Sequence, residues 1–295
     1  MESKIIKTVA TYVKFLEELN IQTLATHKFS LVTMFRGQAD ASWGIMPSLY
    51  REYLFLSEQL FITEMIQNCP QEFSENKFDN LVKMQHFGLP TRLLDTTTNP
   101  LVALYFACSN EENMDKSGAV YVFPYCRAEW SSDPEIEIIM DFIYDWHPYE
   151  HKLPVLLDYL KRKHSSDKCS LLLDDVDSLL KILTKPTIAV MPNKSNPRID
   201  AQDGAFLLFG MQMKDIAGRT VDTISDEFDG YFNRVNITDD RDLYNRIIKI
   251  VIPASSKEKI LKSLDLLGIN ERTLFPDLSH QVHYTLQTVI ATTAQ

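Results

Sequence analysis

"QHFGLPTRLLDTTTNPLVALYFA", residues 85–107, places a helix end, a strand and a helix start in one short run. A helix over about 76–87 stops at Gly88 and Pro90, a glycine suited to a C-terminal cap and a proline that cannot continue the helix. "TRLLD", 91–95, is too short for a helix and lies between Pro90 and a threonine run, so a buried strand is predicted. Thr98 or Asn99 then serves as N-cap with Pro100 at the first helical position, and the apolar "LVALYFA" requires that helix to be buried.

Outward from this block, "LVTMF" (31–35), "GAVYVFPY" (118–125), "TIAVMP" (187–192), "GAFLLFG" (204–210) and "RIIKIVIP" (246–253) predict strands. The first is followed by a polar loop, "RGQADASWG". Helical spacing of Ile5, Ile6, Val9, Val13, Leu16 and Leu19 predicts a helix over 4–19, and "FLSEQLFITEMIQNC" (55–69) has the same period. Residues 127–185 are acidic, aromatic and helical in period, which suggests a mainly helical insertion. Ser255 and Glu258 have capping-box spacing before "KEKILKSLDLLG", and residues 270–290 suggest a pair of short helices. Strands and helices without regular alternation predict an α+β fold. The expected architecture is a central mixed or antiparallel sheet with packed helices, in a single domain over 1–295.

With 45% hydrophobic and 11% aromatic residues the chain can bury a large core. A net charge of -10 argues against an extended duplex nucleic-acid footprint or an anionic membrane surface. No apolar run approaches the roughly 20 residues that span a bilayer. The opening segment carries acidic residues through its apolar part, so a soluble, unprocessed, cytoplasmic protein is expected. Cys69, Cys108, Cys126 and Cys169 lack paired spacing, which favours free thiols over disulfides or zinc, with Cys108 in the core. "HPYEH", 147–151, has a metal-site composition, but linker polarity explains it, and no metal is expected.

Arg36 ends an apolar run, and a guanidinium there needs a carboxylate or phosphate partner. One reading is an internal ion pair with Asp95; the other is a ligand. Gly37 would let the chain turn or a ligand approach. Arg92 and Asp95 lie on opposite faces of an extended "TRLLD", so only one of them faces Arg36. Thr96, Thr97, Thr98 and Asn99 sit where free amide hydrogens and a helix dipole would meet an anion, or where Thr98 or Asn99 simply caps the helix. His86, beside Gln85, is a candidate acid, base or ribose donor, or a partner of the helix dipole. Arg198, Gln202 and Asp203 precede a strand as polar ligand groups or as a polar turn.

"FRGQADASWGIMPSLYR", "QHFGLPTRLLDTTTNPLVALYFA", "NPRIDAQDGAFLLFG" and "KIVIPASSKEKILKSLDLLGINERTLFPDL" together resemble the FRG domain family, over about residues 30–280. Phe35, Arg36 and Gly37 stand at the family's signature. The chain departs from the pattern at Thr96, where tryptophan usually follows Leu-Leu-Asp. The resemblance implies a bacterial or phage protein, sometimes met in defence settings, with a site but no named reaction.

The ordering of an arginine at a strand end, a later Ser/Thr segment and a Gln or Glu before another strand also resembles arginine-class ADP-ribosyltransferases. That implies a nucleotide pocket for NAD, with Arg36, Gly37, Gln38, His86, Arg92 and Thr96 to Asn99 binding it. Arg36, Asp95 and Gln202 would be the catalytic set, and Gln202 stands where a glutamate would supply negative charge. The alternative is a non-catalytic sensor or adaptor binding a nucleotide, a nucleic-acid end or a viral protein at the same pocket.

Overall fold

The strand that begins at Leu31 does not end with the apolar run at Phe35. In the computed structural model, which describes residues 3–19, 31–51, 54–145, 153–194, 196–215 and 230–293, strand β2 spans Leu31–Gln38, so Arg36 and Gly37 lie within it rather than in a loop. The other strands are β1 (Ser3–Ile5), β3 (Leu93–Thr97), β4 (Gly118–Trp130), β5 (Thr187–Met191), β6 (Gly204–Phe209), β7 (Met211–Asp215), β8 (Gly230–Arg234) and β9 (Ile248–Ile252). Helices α1 (Val9–Glu18), α2 (Glu58–Asn68), α3 (Lys77–His86), α4 (Pro100–Cys108), α5 (Pro134–Asp145) and α6 (Leu153–Lys163) come from the first part of the chain. They are followed by α7 (Val176–Leu183), α8 (Pro197–Ala201), α9 (Arg241–Arg246), α10 (Lys257–Leu266) and α11 (Leu278–Thr293).

The main sheet runs in the order β1-β9-β4-β2-β3-β6-β5. The long β4 also pairs in parallel with β5 through Ala128–Trp130, so the five strands β4-β2-β3-β6-β5 close on themselves. The fold is α+β with a mixed sheet: β1 and β9 are parallel, and the pairs β2–β3, β2–β4, β3–β6, β4–β9 and β5–β6 are antiparallel. β7 and β8 form a separate antiparallel pair. No helix among the described residues is long and apolar enough to cross a membrane.

The N-terminal element differs from the expected helix over 4–19. Ser3–Ile5 pairs with Lys249–Val251, and the helix begins only after Thr8, whose side chain forms a capping box with Thr11. Local capping and sheet pairing outweigh the helical spacing of Ile5 and Ile6. Asn20 and the 147–151 run lie outside the described residues. Ser255 and Glu258 do not form a capping box; Ser256 is the N-cap of α10 and makes no side-chain cap bond. The C-terminal pair is one short turn, Glu271–Leu274, and the longer α11. The segment after β4 is helical, but β4 itself continues to Trp130.

One core cluster includes Met34, Leu93, Leu94, Phe123, Leu207 and the buried faces of α5, α6 and α7. A second lies between the sheet and helices α1, α4 and α10, around Phe35, Ala103, Ala107, Val120 and Ile260. α4 sits directly on the sheet backbone. A Cβ at Gly37 would lie 2.0 Å from the Ala103 carbonyl oxygen, and one at Gly118 would lie 2.1 Å from that of Ala107. Gly37 therefore serves helix packing, and its place within β2 corrects the expected turn. Gly37→Ala is expected to lower the unfolding free energy by about 1–3 kcal/mol through overpacking, visible as a lower urea midpoint.

Candidate functional site

β2 and β3 share a single register pair, Phe35 with Thr97. Beyond it the strands splay, and a cavity of about 300 Å³ lies against Arg36, Gly37, Asp95, Thr96 and Thr97. Its remaining walls come from Phe35 of β2, from the end of α3 (Val82, Gln85, His86), from Phe106 of α4, from α8 and the residues that flank it (Asn196, Arg198, Ile199, Gln202), and from Gly204–Phe206 of β6. A second cavity, of about 730 Å³, lies between α4, α10 and α11, and shares Arg36, Gly37 and Phe106 with the first. Arg36 thus stands at the boundary of both.

The Arg36 guanidinium donates from Nη1 to the backbone oxygen of Asp95 at 2.6 Å, and not to its carboxylate. Its Nε is sealed from solvent without a hydrogen-bond partner. Burial lowers its pKa from the ordinary arginine value, and the Asp95 charge opposes that shift. An arginine stays cationic nonetheless, so a positive charge that keeps one buried, unused donor stands in the wall of both cavities. Gln38, at 3% exposure, donates Nε2 to the Gly44 carbonyl at 3.2 Å, while its buried Oε1 has no partner. An orphaned buried donor and acceptor on one strand are uncommon in a native fold and call for an explanation.

A second guanidinium completes the cavity. Arg198 of α8 lies over the Phe275 ring at 4.6 Å, and Phe275 stacks on His280 at 4.4 Å. Arg198 donates from Nη1 to His86 Nδ1 at 3.5 Å, and no carboxylate lies within ion-pair distance of it among the described residues. The only carboxylate on the first cavity among the described residues is Asp95. Its Oδ1 accepts from Gln85 Nε2 at 2.6 Å, and Gln85 Oε1 in turn accepts from the Thr91 hydroxyl. Asp95 is solvent-exposed, so the pocket pairs one oriented carboxylate with two arginines.

Burial, and next the charge of Arg198, lower the pKa of His86 below its ordinary value of 6.5. The unfolded chain therefore holds more protons than the folded one between those two values, and stability rises with pH across that window. The His86 contribution is fully present above pH 6.5 and is lost as pH falls through the depressed folded value. His86→Gln is expected to flatten the pH dependence of the denaturation midpoint below pH 6.5, measured by urea unfolding at a series of pH values.

The structure brings together Arg36, Gly37, His86, Asp95, Thr96, Thr97 and Gln202, with Gln38 on the second cavity. It does not bring Arg92, Thr98 or Asn99 to either wall. Arg92, immediately before β3, turns into the core and is 2% exposed, with Nε donating to both Glu58 oxygens at 2.8 and 3.0 Å. Burial opposes its charge, and the Glu58 carboxylate outweighs this and raises its pKa.

The expected anion cradle at the start of α4 is occupied by the chain itself. Asn99 Oδ1 accepts from the Leu101 amide, the Asn99 amide donates to Thr97 Oγ1, and the Thr98 amide donates to the Asp203 carbonyl. Asn99 Nδ2 also reaches the Asp203 carboxylate at 3.1 Å. Thr97 Oγ1 donates to the Gln202 carbonyl at 2.7 Å, the Thr96 hydroxyl lies 3.6 Å from the Met34 sulfur, and Gln202 Nε2 donates to the Leu274 carbonyl at 3.0 Å. The polar ends of those three side chains are engaged by protein groups.

Sequence reasoning missed Phe106, Phe275 and His280 as wall residues. Their signal was absent because Phe275 and His280 reach the site only through the packing of the C-terminal helices against α4 and α8.

Compared with known families, residues 32–116 match the model of the FRG domain. No curated protein and no solved structure matches the chain.

Proposed function

From a chain that carries an FRG domain over residues 32–116, we propose that the paired cavities bind a nucleotide-type ligand whose phosphates sit between Arg36 and Arg198. The observation that carries this reading is the orphaned Arg36 Nε at the boundary of two cavities, with no carboxylate paired to the guanidinium. Arginine favours phosphate because its planar fork donates to two oxygens at once. The aromatic walls, Phe106 shared by both cavities and Trp43 and Tyr105 in the second, suit flat rings on either side of a diphosphate.

NAD is the ligand this arrangement suits. In that reading the bond between nicotinamide and the ribose anomeric carbon breaks, and its electron pair leaves with nicotinamide. The Asp95 carboxylate stabilises the oxocarbenium-like centre, and water or an acceptor hydroxyl then adds at that carbon and loses its proton. Gln202 contributes shape rather than charge. The setting consistent with the resemblance is defence against phage, in the cytoplasm.

A second reading, a sensor that binds the same ligand unchanged, is favoured by one observation. The Gln202 amide is committed to the Leu274 carbonyl, which leaves Asp95 to act alone. Incubation of the full chain with NAD and measurement of released nicotinamide separates the two. Release that disappears in Asp95→Asn supports cleavage; binding of NAD without release supports the sensor. Absence of any NAD, ATP or ADP-ribose binding by thermal shift overturns the pocket assignment.

A further inference from the structure

The helical segment after β4 carries a polar cluster that the proposed pocket does not use. Glu137 of α5, His164 just beyond α6 and Cys169 of the following turn place one ligand atom each within 4.8 Å of the others. Cys169, at 1% exposure, directs its Sγ to Glu137 Oε2 at 3.3 Å, and its backbone amide donates to Asp167 Oδ1 at 2.8 Å. His164, at 6% exposure, has Nδ1 2.7 Å from Asp167 Oδ2 and Nε2 2.7 Å from Asp141 Oδ2.

We propose that Glu137, His164, Asp167 and Cys169 form a zinc-class divalent cation site. The donor set is mixed sulfur, nitrogen and oxygen, which matches zinc and not calcium or magnesium. A tetrahedral zinc ion with bonds of about 2.0–2.3 Å keeps its ligands about 3.3–3.8 Å apart: the Cys169–Glu137 pair at 3.3 Å already fits, the remaining atoms of the Glu137, His164 and Cys169 set close from at most 4.8 Å, and the His164–Asp167 pair at 2.7 Å opens to admit the ion.

The outer contacts fit the same assignment. With the proton on Nε2, His164 donates to Asp141 and turns the Nδ1 lone pair to the cation, the carboxylate–histidine–metal relay of metal sites. Asp141 is fixed in turn by Lys77 at 2.8 Å and Lys163 at 2.7 Å, and both lysines also reach Asp145. Among the described residues, Asp141 and Asp145 pair with those two ammonium groups, while Glu137 meets the Cys169 thiol and Asp167 meets His164. Four carboxylates against two ammonium groups leave the cluster short of positive charge, and a divalent ion supplies it. Binding releases the Cys169 thiol proton to solvent, because the thiolate is the ligand.

The test uses the full chain stripped with a chelator, titrated with Co²⁺ and then Zn²⁺. Wild type is expected to bind one equivalent of Co²⁺ with a thiolate-to-cobalt charge-transfer band, which Zn²⁺ bleaches. Cys169→Ser is expected to abolish the band. Glu137→Gln, at a solvent-exposed position that leaves folding intact, is expected to weaken Zn²⁺ binding by about tenfold or more. A wild type without the band, a band that persists in Cys169→Ser, or unchanged affinity in Glu137→Gln overturns the assignment.

Discussion

Glu58→Ala lowers the unfolding free energy by about 3–5 kcal/mol, because it strands the Arg92 guanidinium in the core. Both partners are almost fully buried, at 5% and 2% exposure, and the guanidinium also lies 5.5 Å from the Phe55 ring centroid. Its remaining donors have little else: Nη1 reaches the Phe209 carbonyl only at 3.5 Å. Arg92→Ala should cost a similar amount by leaving the carboxylate alone. Replacing both together, as in Glu58→Leu with Arg92→Met, should recover most of that loss, since a buried pair competes poorly with apolar packing. Urea unfolding of the two single variants and the double variant gives the comparison. Single losses below 1 kcal/mol, or a double variant no better than either single, would place the stabilisation elsewhere.

The same substitution type at Arg36 should behave in the opposite way. Arg36→Ala removes a half-buried cation that has one backbone acceptor and an orphaned Nε, and no carboxylate is stranded by the change. The fold should persist with a melting temperature close to wild type. Ligand binding should not: loss of a desolvated charge-assisted contact to phosphate costs about 2–5 kcal/mol, or roughly 30-fold to several thousandfold in Kd. Calorimetric titration of ADP-ribose into wild type and Arg36→Ala reads both halves of this expectation. A variant that binds as tightly as wild type removes Arg36 from the site. A variant that fails to fold makes the residue structural instead.

The contrast between Arg36 and Arg92 also marks how far sequence reasoning reaches. Alternation puts Arg92 and Asp95 on opposite sides of the extended 91–95 run, and they do lie so: Arg92, just before β3, meets Glu58 in the core and Asp95 lines the cavity. What the alternation could not supply was the partner. Glu58 lies 34 positions away on a helix, and nothing local in the sequence reports which helix covers β3.

Elements bounded by their own chemistry were legible. Asn99 and Pro100 open α4, Gly88 closes α3 with a positive φ of 96°, and the apolar runs of β5 and β6 stand clear of their polar neighbours. The end of β2 was not, because a strand that carries Arg-Gly-Gln between two partners reads as a loop until its pairing with β4 is known. The closure of β4 onto β5 was equally hidden, since register between distant strands leaves no local trace. Of the two readings of that helix start, an anion cradle or a plain cap, the cap is the one the geometry matches, with Asn99 as N-cap. Asp203 approaches it from a residue with φ of 46°, and that turn fills the position an anion would take.

The central claim is that a phosphate group takes up the unused donors of Arg36. A crystal structure of the full chain with ADP-ribose tests it most directly. Diphosphate oxygens are expected within about 3 Å of the Arg36 and Arg198 guanidinium nitrogens, with the adenine or ribose reaching into the cavity beside Phe106. A diphosphate bound away from Arg36, or an Arg36 that turns to pair with the Asp95 carboxylate while the cavity stays closed to the ligand, would contradict it.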